Sequence, residues 1–151
     1  MDLTVRLDAM EAAIKKPSFR QSSGKANEVN YWIFDYPPEK ELEVREWIEY
    51  MKNKNQKGTD EYQLVIFDLY DIIIDFLERK NFIDKCCDFE KKSGLQRIVK
   101  AVSNSMKVSE SDNFIVQYIQ QNTPENAIVF LTGVGKSYPI LRSHNVLNNL
   151  L

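Results

Sequence analysis

The chain has 151 residues, of which 43% are apolar and 28% are charged, and its formal net charge is −2. These values are typical of a globular protein with a real core and exclude a disordered chain. The 20 Lys and Arg residues against 22 Asp and Glu residues show no basic bias, so direct binding of nucleic acid is not expected. The densest basic run, Lys52 to Lys57, is interpreted as a solvated helix end and loop.

Two cysteines and one histidine limit the metal and redox chemistry of the chain. Cys86 and Cys87 are adjacent, and no spaced Cys/His cluster exists for zinc. Neighbouring helical residues point apart, so these thiols would form a disulfide only with strain. No apolar run approaches ~20 residues, and the start of the chain lacks a signal-like apolar segment. We therefore predict a cytoplasmic protein that does not span a membrane and has no metal or cofactor.

The first half of the chain predicts helix, strand and helix in that order. Apolar residues recur at helical spacing from Leu3 to Ile14, and Pro17 ends this helix. Tyr31–Phe34 is predicted as a short buried strand that two prolines stop. A helix follows from Glu39 to about Asn53, with acidic residues early and lysines late, as the helix dipole favours.

The second half predicts two more strands and several helices. The strands are Tyr62–Phe67 and Ala127–Leu131. Asp68 follows the first of these as a helix N-cap. Residues 82–121 are predicted as three short helices that break near Gly94 and at 104–111. A last helix carries Leu141, Val146, Leu147 and Leu150.

Strands that alternate with helices and are apolar on both faces predict parallel pairing in a covered sheet. The expected fold is therefore a single α/β domain over residues 1–151, with three α/β/α layers and a mostly parallel sheet of about three strands. The pattern is similar to that of nucleotide-binding folds.

The segment Gly133-Val-Gly-Lys-Ser137 looks like a phosphate-binding loop, but its spacing is wrong. Such a loop needs a glycine five residues before the Gly-Lys-Ser, and Phe130 stands there instead. Pro139 also removes a backbone N–H near the start of the following helix. We therefore interpret this segment as a tight turn of a degenerate nucleotide-binding-like fold, which binds no nucleotide.

Three polar residues follow the three predicted strands. Asp35, Asp68 and Thr132 would meet at one sheet edge, where ligands of open parallel sheets gather. Two carboxylates and a hydroxyl could hold Mg²⁺ in a nucleotide- or magnesium-binding enzyme module. The simpler interpretation is that Asp68 caps a helix and Asp35 closes a turn.

Three blocks of sequence resemble the BrxB proteins of BREX bacteriophage-exclusion systems. The strongest is Thr132-Gly-Val-Gly135 with Tyr138-Pro139, Leu141-Arg-Ser-His144 and Leu147-Asn-Asn-Leu150. The second is Ile33-Phe-Asp-Tyr-Pro-Pro-Glu39 with Glu41-Leu and Val44-Arg-Glu46. The third is Phe67-Asp-Leu-Tyr-Asp71 with Leu77-Glu-Arg79. They keep the family order over most of the chain.

The resemblance implies a small accessory protein of an anti-phage system, not an enzyme, that works as an adaptor with other BREX proteins, among them the alkaline-phosphatase-like PglZ protein. The enzyme module with Asp35, Asp68 and Thr132 is the alternative. The family usually continues for some tens of residues past Leu150 with another strand. This chain is therefore expected to be either a truncated form or a short member that lacks a C-terminal strand and tail.

Aromatic, proline and basic residues near the predicted strand ends form a candidate partner-binding surface. These residues are Tyr36, Pro37, Pro38, Tyr138, Arg142 and His144. Prolines stiffen the turns, and Tyr and Arg often carry interface energy. The other interpretation is structural: the tyrosines pack over the core, and Arg142 caps a carbonyl.

Overall fold

The computed structural model describes residues 2–20 and 31–150. About 62% of the described residues are helical, and two strands pair in a parallel sheet, so the α/β class is confirmed. Within the described ranges the elements are α1 Leu3–Lys15, α2 Pro17–Arg20, a 3₁₀ turn Pro38–Lys40, α3 Glu41–Gln56, β1 Leu64–Asp68, α4 Leu69–Arg79, α5 Ile83–Ser93, α6 Leu95–Ser105, α7 Phe114–Gln121, β2 Ile128–Thr132, α8 Val134–Ser137 and α9 Ser143–Leu147.

The described residues form two compact units. One comprises the chain up to Val65 together with Pro124–Val129, and the other comprises Ile66–Thr123 together with the chain from Phe130 onward. The carboxyl-terminal parts of both strands, and the turns that follow them, therefore belong to the second unit. None of the helices in the described ranges has the length and apolar character needed to cross a membrane.

The second and third predicted strands are confirmed as β1 and β2, each within about two residues of its predicted bounds. The Ile128 backbone N–H donates to the Gln63 carbonyl at 2.8 Å, where the pairing begins. The first predicted strand, Tyr31–Phe34, is wrong, because the structure shows no strand in residues 31–37. The sheet therefore has two strands rather than three.

The packing of the side chains of residues 31–36 explains why this segment is not a strand. Trp32 is 72% exposed and Ile33 is 86% exposed, whereas the side chains of Phe34 and Tyr36 pack against apolar residues of α1 and α3. A strand needs a neighbour for its backbone groups as well as apolar residues. Here the helices cover the rings of Phe34 and Tyr36, and within the described residues no strand pairs with this segment.

The first unit is built on α1 and α3. The Asp2 side chain caps α1 by accepting the Thr4 N–H, as the predicted amphipathic helix requires. Leu3 and Leu7 of α1 pack with Val44 of α3, and five half-buried residues surround them: Met10, Phe34, Tyr36, Trp47 and Ile48. The helix predicted from Glu39 to about Asn53 is thus confirmed, and it continues to Gln56.

An ion pair between α1 and α3 strengthens this unit. Glu11 accepts a hydrogen bond from Lys54, which belongs to the basic run that the sequence places at a helix end. Lys15 also pairs with Glu11, at 3.1 Å. The Lys54 hydrogen bond is the main cause that lowers the pKa of the Glu11 carboxyl, although burial opposes it.

A lowered folded-state pKa means that this carboxylate stabilises the fold above its ordinary pKa of about 4.3 and that the gain is lost as the pH falls through the lowered value. We expect Glu11→Gln to reduce the free energy of unfolding by about 1 kcal/mol at pH 7. Urea denaturation of both proteins should show that this difference in the free energy of unfolding disappears below pH ~3. The exposed Glu46→Gln is the control, and a gap for Glu11→Gln that does not change with pH would contradict the assignment.

The second unit is built around α4 and α7. Five residues of α4 are buried, as its helical pattern predicts: Leu69, Ile72, Ile73, Phe76 and Leu77. The Phe76 ring lies 4.8 Å from the ring of Phe114 at the start of α7. The three helices predicted for residues 82–121 are confirmed as α5, α6 and α7, and the break between α5 and α6 is at Gly94.

The last predicted helix differs from the structure. In place of one helix there are two short ones, α8 and α9, and residues 138–142 lie between them. Pro139 accounts for the break, because proline lacks the N–H that a helix interior needs and holds the preceding residue, Tyr138, in an extended conformation. Leu141 and Val146 are nevertheless buried, as their apolar character predicts.

Candidate functional site

Asp68 stands where β1 ends and α4 begins. Its Oδ1 accepts hydrogen bonds from the backbone N–H groups of Tyr70, at 2.9 Å, and Asp71, at 3.4 Å. This is N-capping, which satisfies donors that the helix itself leaves unpaired. The predicted cap is therefore confirmed, and one carboxylate oxygen of Asp68 is already used by the backbone.

The turn after β2 closes against the same carboxylate. Gly133 has a φ of 71°, in the left-handed region that favours glycine. A Cβ added at Gly133 would stand 2.1 Å from Asp68 Oδ1, so only glycine leaves room for the carboxylate. The buried Ser137 hydroxyl donates to the Gly133 carbonyl at 2.8 Å and holds the turn from its other end.

Lys136 completes the cluster. Its Nζ lies 2.6 Å from Asp68 Oδ2 and 5.6 Å from the centre of the Tyr70 ring. The Lys136 and Asp68 side chains are 40% and 24% exposed, so the pair is partly shielded from water. Lys136, which in a phosphate-binding loop would face the ligand, instead neutralises the carboxylate that caps α4.

A shallow cavity beside this pair is lined by carboxylates. Its volume is about 330 Å³, and Asp68, Asp71 and Asp75 line it together with Phe67 and Tyr118. Asp75 is paired with Arg79 at 2.8 Å. Negative charge on this wall opposes a phosphate group, since like charges at short range repel. The electrostatics of the site therefore agree with the spacing argument against a nucleotide.

The predicted enzyme triad does not form a common cluster within either compact unit. Asp35 belongs to the first unit, is almost fully exposed, and pairs with Arg6 at 2.9 Å. Thr132 belongs with Asp68 to the second unit, and its hydroxyl makes a long 3.5 Å contact with the Phe67 carbonyl. In the described residues no group of three or more His, Cys, Asp or Glu side chains is placed to hold a metal ion.

The first predicted partner-binding turn lies in the first unit. The Tyr36 hydroxyl donates to Glu41 at 2.7 Å. Burial, followed by the hydrogen bond and charge of Glu41, raises the pKa of Tyr36 to about 12. Tyr36 is thus held by its own unit, whereas Pro37 and Pro38 are exposed and lead into α3.

The second predicted turn lies in the second unit. Tyr138 is 62% exposed, and the Arg142 guanidinium lies 5.8 Å from the centre of its ring. The Arg142 backbone N–H donates to the Asn145 side chain at the start of α9, and His144 is exposed on that helix. The Ser103 hydroxyl donates to the Ile140 carbonyl at 2.7 Å and fixes the segment that carries Tyr138.

Sequence reasoning missed the pairing of Asp68 with Lys136. The available signal was an acidic residue at the end of β1 and a lysine four residues after β2. Parallel strands bring such positions to the same sheet edge. Fold and site together define a small, mostly helical α/β protein whose strand-end glycine turn is closed by an internal ion pair.

Comparison with known proteins places this chain in a family. The family description "BREX protein BrxB" matches residues 65–151, which include β1 from its second residue, all of β2 and the ion-paired turn. The BREX protein BrxB of Bacillus cereus strain H3081.97 is 41% identical over 145 residues, covering 96% of this chain and 75% of that protein. The BREX protein BrxB of Escherichia coli O9:H4 strain HS is 28% identical over 148 residues, covering 98% and 72% respectively. The chain therefore belongs to the BrxB family of BREX proteins, and the predicted resemblance is confirmed.

No solved structure matches the chain significantly.

Proposed function

We propose that this protein is a non-catalytic adaptor of a BREX anti-phage system that acts by binding another protein of the system. The observation that carries this proposal is the state of the strand-end site. Asp68 is engaged by two backbone N–H groups and by Lys136, so neither charged side chain is left to bind or activate a substrate. A general base or nucleophile needs an available lone pair next to the reacting group.

The partner that we propose is the alkaline-phosphatase-like PglZ protein, which the family resemblance implies. An adaptor of this size would work beside a large protein in the cytoplasm. Cys86 and Cys87 are free thiols, which suits a reducing compartment. The name "BREX protein" of the relatives supports a role within the system without specifying the molecular step.

The surface that we propose for this contact is centred on Tyr138 and Arg142. Both side chains are exposed, and the guanidinium lies over the aromatic ring, so the two present one combined surface. Tyr and Arg are enriched among residues that carry interface energy. His144 extends this surface along α9, and the exposed Pro37 and Pro38 are a second candidate contact in the other unit.

We expect the double variant Tyr138→Ala, Arg142→Ala to lose capture of PglZ while it remains folded. Exposed side chains contribute little to the core, so the melting temperature should stay close to that of the wild type. Loss of a central anchor weakens binding by roughly 2 kcal/mol, which is about 30-fold in Kd. Capture is measured by co-purification of PglZ from cells that carry the complete system. Folding is measured by melting curves on the purified variants.

The matched control is Tyr50→Ala, Lys52→Ala, which removes an exposed aromatic and an exposed cation from α3. This variant should capture PglZ as the wild type does. Capture of PglZ by the Tyr138, Arg142 variant at the wild-type level would exclude this surface. A fall of many degrees in its melting temperature would show that the two residues are structural instead.

A further inference from the structure

The helix pair α5–α6 and the residues flanking it carry a concentration of positive charge that the composition of the whole chain hides. Residues 80–107 contain three acidic residues, Asp84, Asp88 and Glu90, against seven basic ones. The basic residues are Lys80, Lys85, Lys91, Lys92, Arg97, Lys100 and Lys107. The complete chain, in contrast, has slightly more acidic than basic residues. This segment is therefore a local basic surface on an acidic protein.

The seven basic side chains are available to a ligand. All seven residues are exposed, and none of them forms an ion pair with an acidic side chain anywhere in residues 2–20 or 31–150. Lysines elsewhere in the chain are often engaged, as Lys54 is with Glu11 and Lys136 with Asp68. Lys85 lies over the Phe82 ring, with its Nζ 5.4 Å from the ring centre. Ion pairing within the described residues does not account for the number of cations on this surface.

Helical spacing aligns several of these side chains. Lys85, Phe89 and Lys92 are four and three residues apart on α5, so they lie along one side of that helix. Arg97 and Lys100 lie three residues apart on α6 and share a side of it in the same way. Gly94 alone joins the two helices, which contact each other, so the basic rows stand on one compact element.

We propose that the α5–α6 surface binds the sugar–phosphate backbone of double-stranded DNA without reading its sequence. Six of the seven cations are lysines, which bind phosphates as point charges. Lysine is depleted from protein–protein interfaces, so this composition favours a nucleic acid over an acidic protein. Single strands are held by aromatic platforms, and Phe89, 40% exposed, is the one aromatic side chain with an exposed face in α5 and α6.

This surface is separate in sequence from the Tyr138 and Arg142 residues of the proposed protein contact, so the two proposals are tested independently. The net charge of the whole chain, −2, predicts no binding of nucleic acid. A phosphate backbone responds instead to the charges within a Debye length, about 8–10 Å at physiological salt. The local excess of positive charge therefore determines whether DNA binds to this surface.

The experiment uses fluorescence anisotropy with a labelled duplex of about 25 base pairs, titrated with the full chain at several salt concentrations between ~50 and ~200 mM. The test variant is Lys85→Gln, Lys92→Gln, Lys100→Gln. Each lost phosphate contact should reduce the slope of log affinity against log salt by about 0.9, so three should reduce it by roughly 2–3. The affinity at ~100 mM salt should fall at least 10-fold.

The matched control is Lys16→Gln, Lys52→Gln, Lys57→Gln, which removes the same total charge from the other unit. These three lysines are exposed and form no ion pair with any described residue. It should retain most of the wild-type affinity and slope. Melting curves should show both triple variants folded, because all six lysines are exposed. A single strand of the same length and a polyglutamate should bind more weakly than the duplex.

Four results would overturn the proposal. The first is the absence of duplex binding at ~50 mM salt, and the second is an equal loss of duplex affinity in the two triple variants. The third is tighter binding of the single strand than of the duplex, and the last is binding of polyglutamate at least as tight as that of the duplex. The second result would mean that net charge, rather than this surface, attracts DNA. The last would indicate an acidic protein as the ligand.

Discussion

Gly133→Ala should destabilise the second unit by about 2–3 kcal/mol, a drop of roughly 5–10 °C in melting temperature for a chain of this size. The backbone at Gly133 has a φ of 71°, which costs an L-residue roughly 1–2 kcal/mol. The new methyl group would also stand 2.1 Å from Asp68 Oδ1, so the carboxylate must move off the start of α4. Loss of that cap adds about 1 kcal/mol.

The control is Gly135, two residues further along the chain, inside α8, which Gly133 precedes. A Cβ added at Gly135 meets no atom within 4 Å, and its φ is not in the left-handed region. Gly135→Ala should therefore be neutral or slightly stabilising. Thermal and urea denaturation of the two variants gives the comparison. Equal stabilities would show that Asp68 and Gly133 do not depend on each other as the geometry requires.

Asn113→Ala should lower the free energy of unfolding by about 2–4 kcal/mol, because the buried Asn113 side chain holds together the segment between α6 and α7. Asn113 has no exposed surface, and its Oδ1 accepts the Val116 N–H at 3.0 Å as the cap of α7. Its amide donates to the carbonyl of Glu110 at 3.0 Å and makes a longer contact with that of Val108. Alanine removes the cap and leaves buried backbone groups without partners.

Urea denaturation should also separate this cost from a general effect of removing an asparagine. Asn122 follows the last residue of α7 and is exposed, and its side chain donates only to the Tyr118 carbonyl among its described contacts. Asn122→Ala should therefore change the free energy of unfolding by no more than about 0.5 kcal/mol. Asn113→Ser, which restores a capping oxygen, should recover part of the loss. Similar losses in the free energy of unfolding for the Asn113→Ala and Asn122→Ala variants would contradict this role for Asn113.

The glycine turn shows how far local rules reach into the candidate site. The missing glycine at Phe130 and the presence of Pro139 sufficed to argue against a phosphate-binding loop, because the number of backbone donors follows from spacing alone. The same reasoning gave Asp68 its role as a cap. It gave Lys136 no role, since the carboxylate that Lys136 contacts is 68 residues earlier in the chain.

Sequence by itself determined most of the described helices, both strands of the described sheet, and the BrxB family. Helical periodicity, caps and proline breaks act within a few residues, and α1, α4 and the break at Gly94 follow from them. Only the tertiary structure decided that Tyr31–Phe34 is not a strand, because a strand depends on a neighbour that a local pattern cannot supply. It also decided that, in residues 2–20 and 31–150, the cations of α5–α6 form no ion pair while Lys54 and Lys136 do. Ion pairing depends on which distant carboxylates the fold brings within about 4 Å.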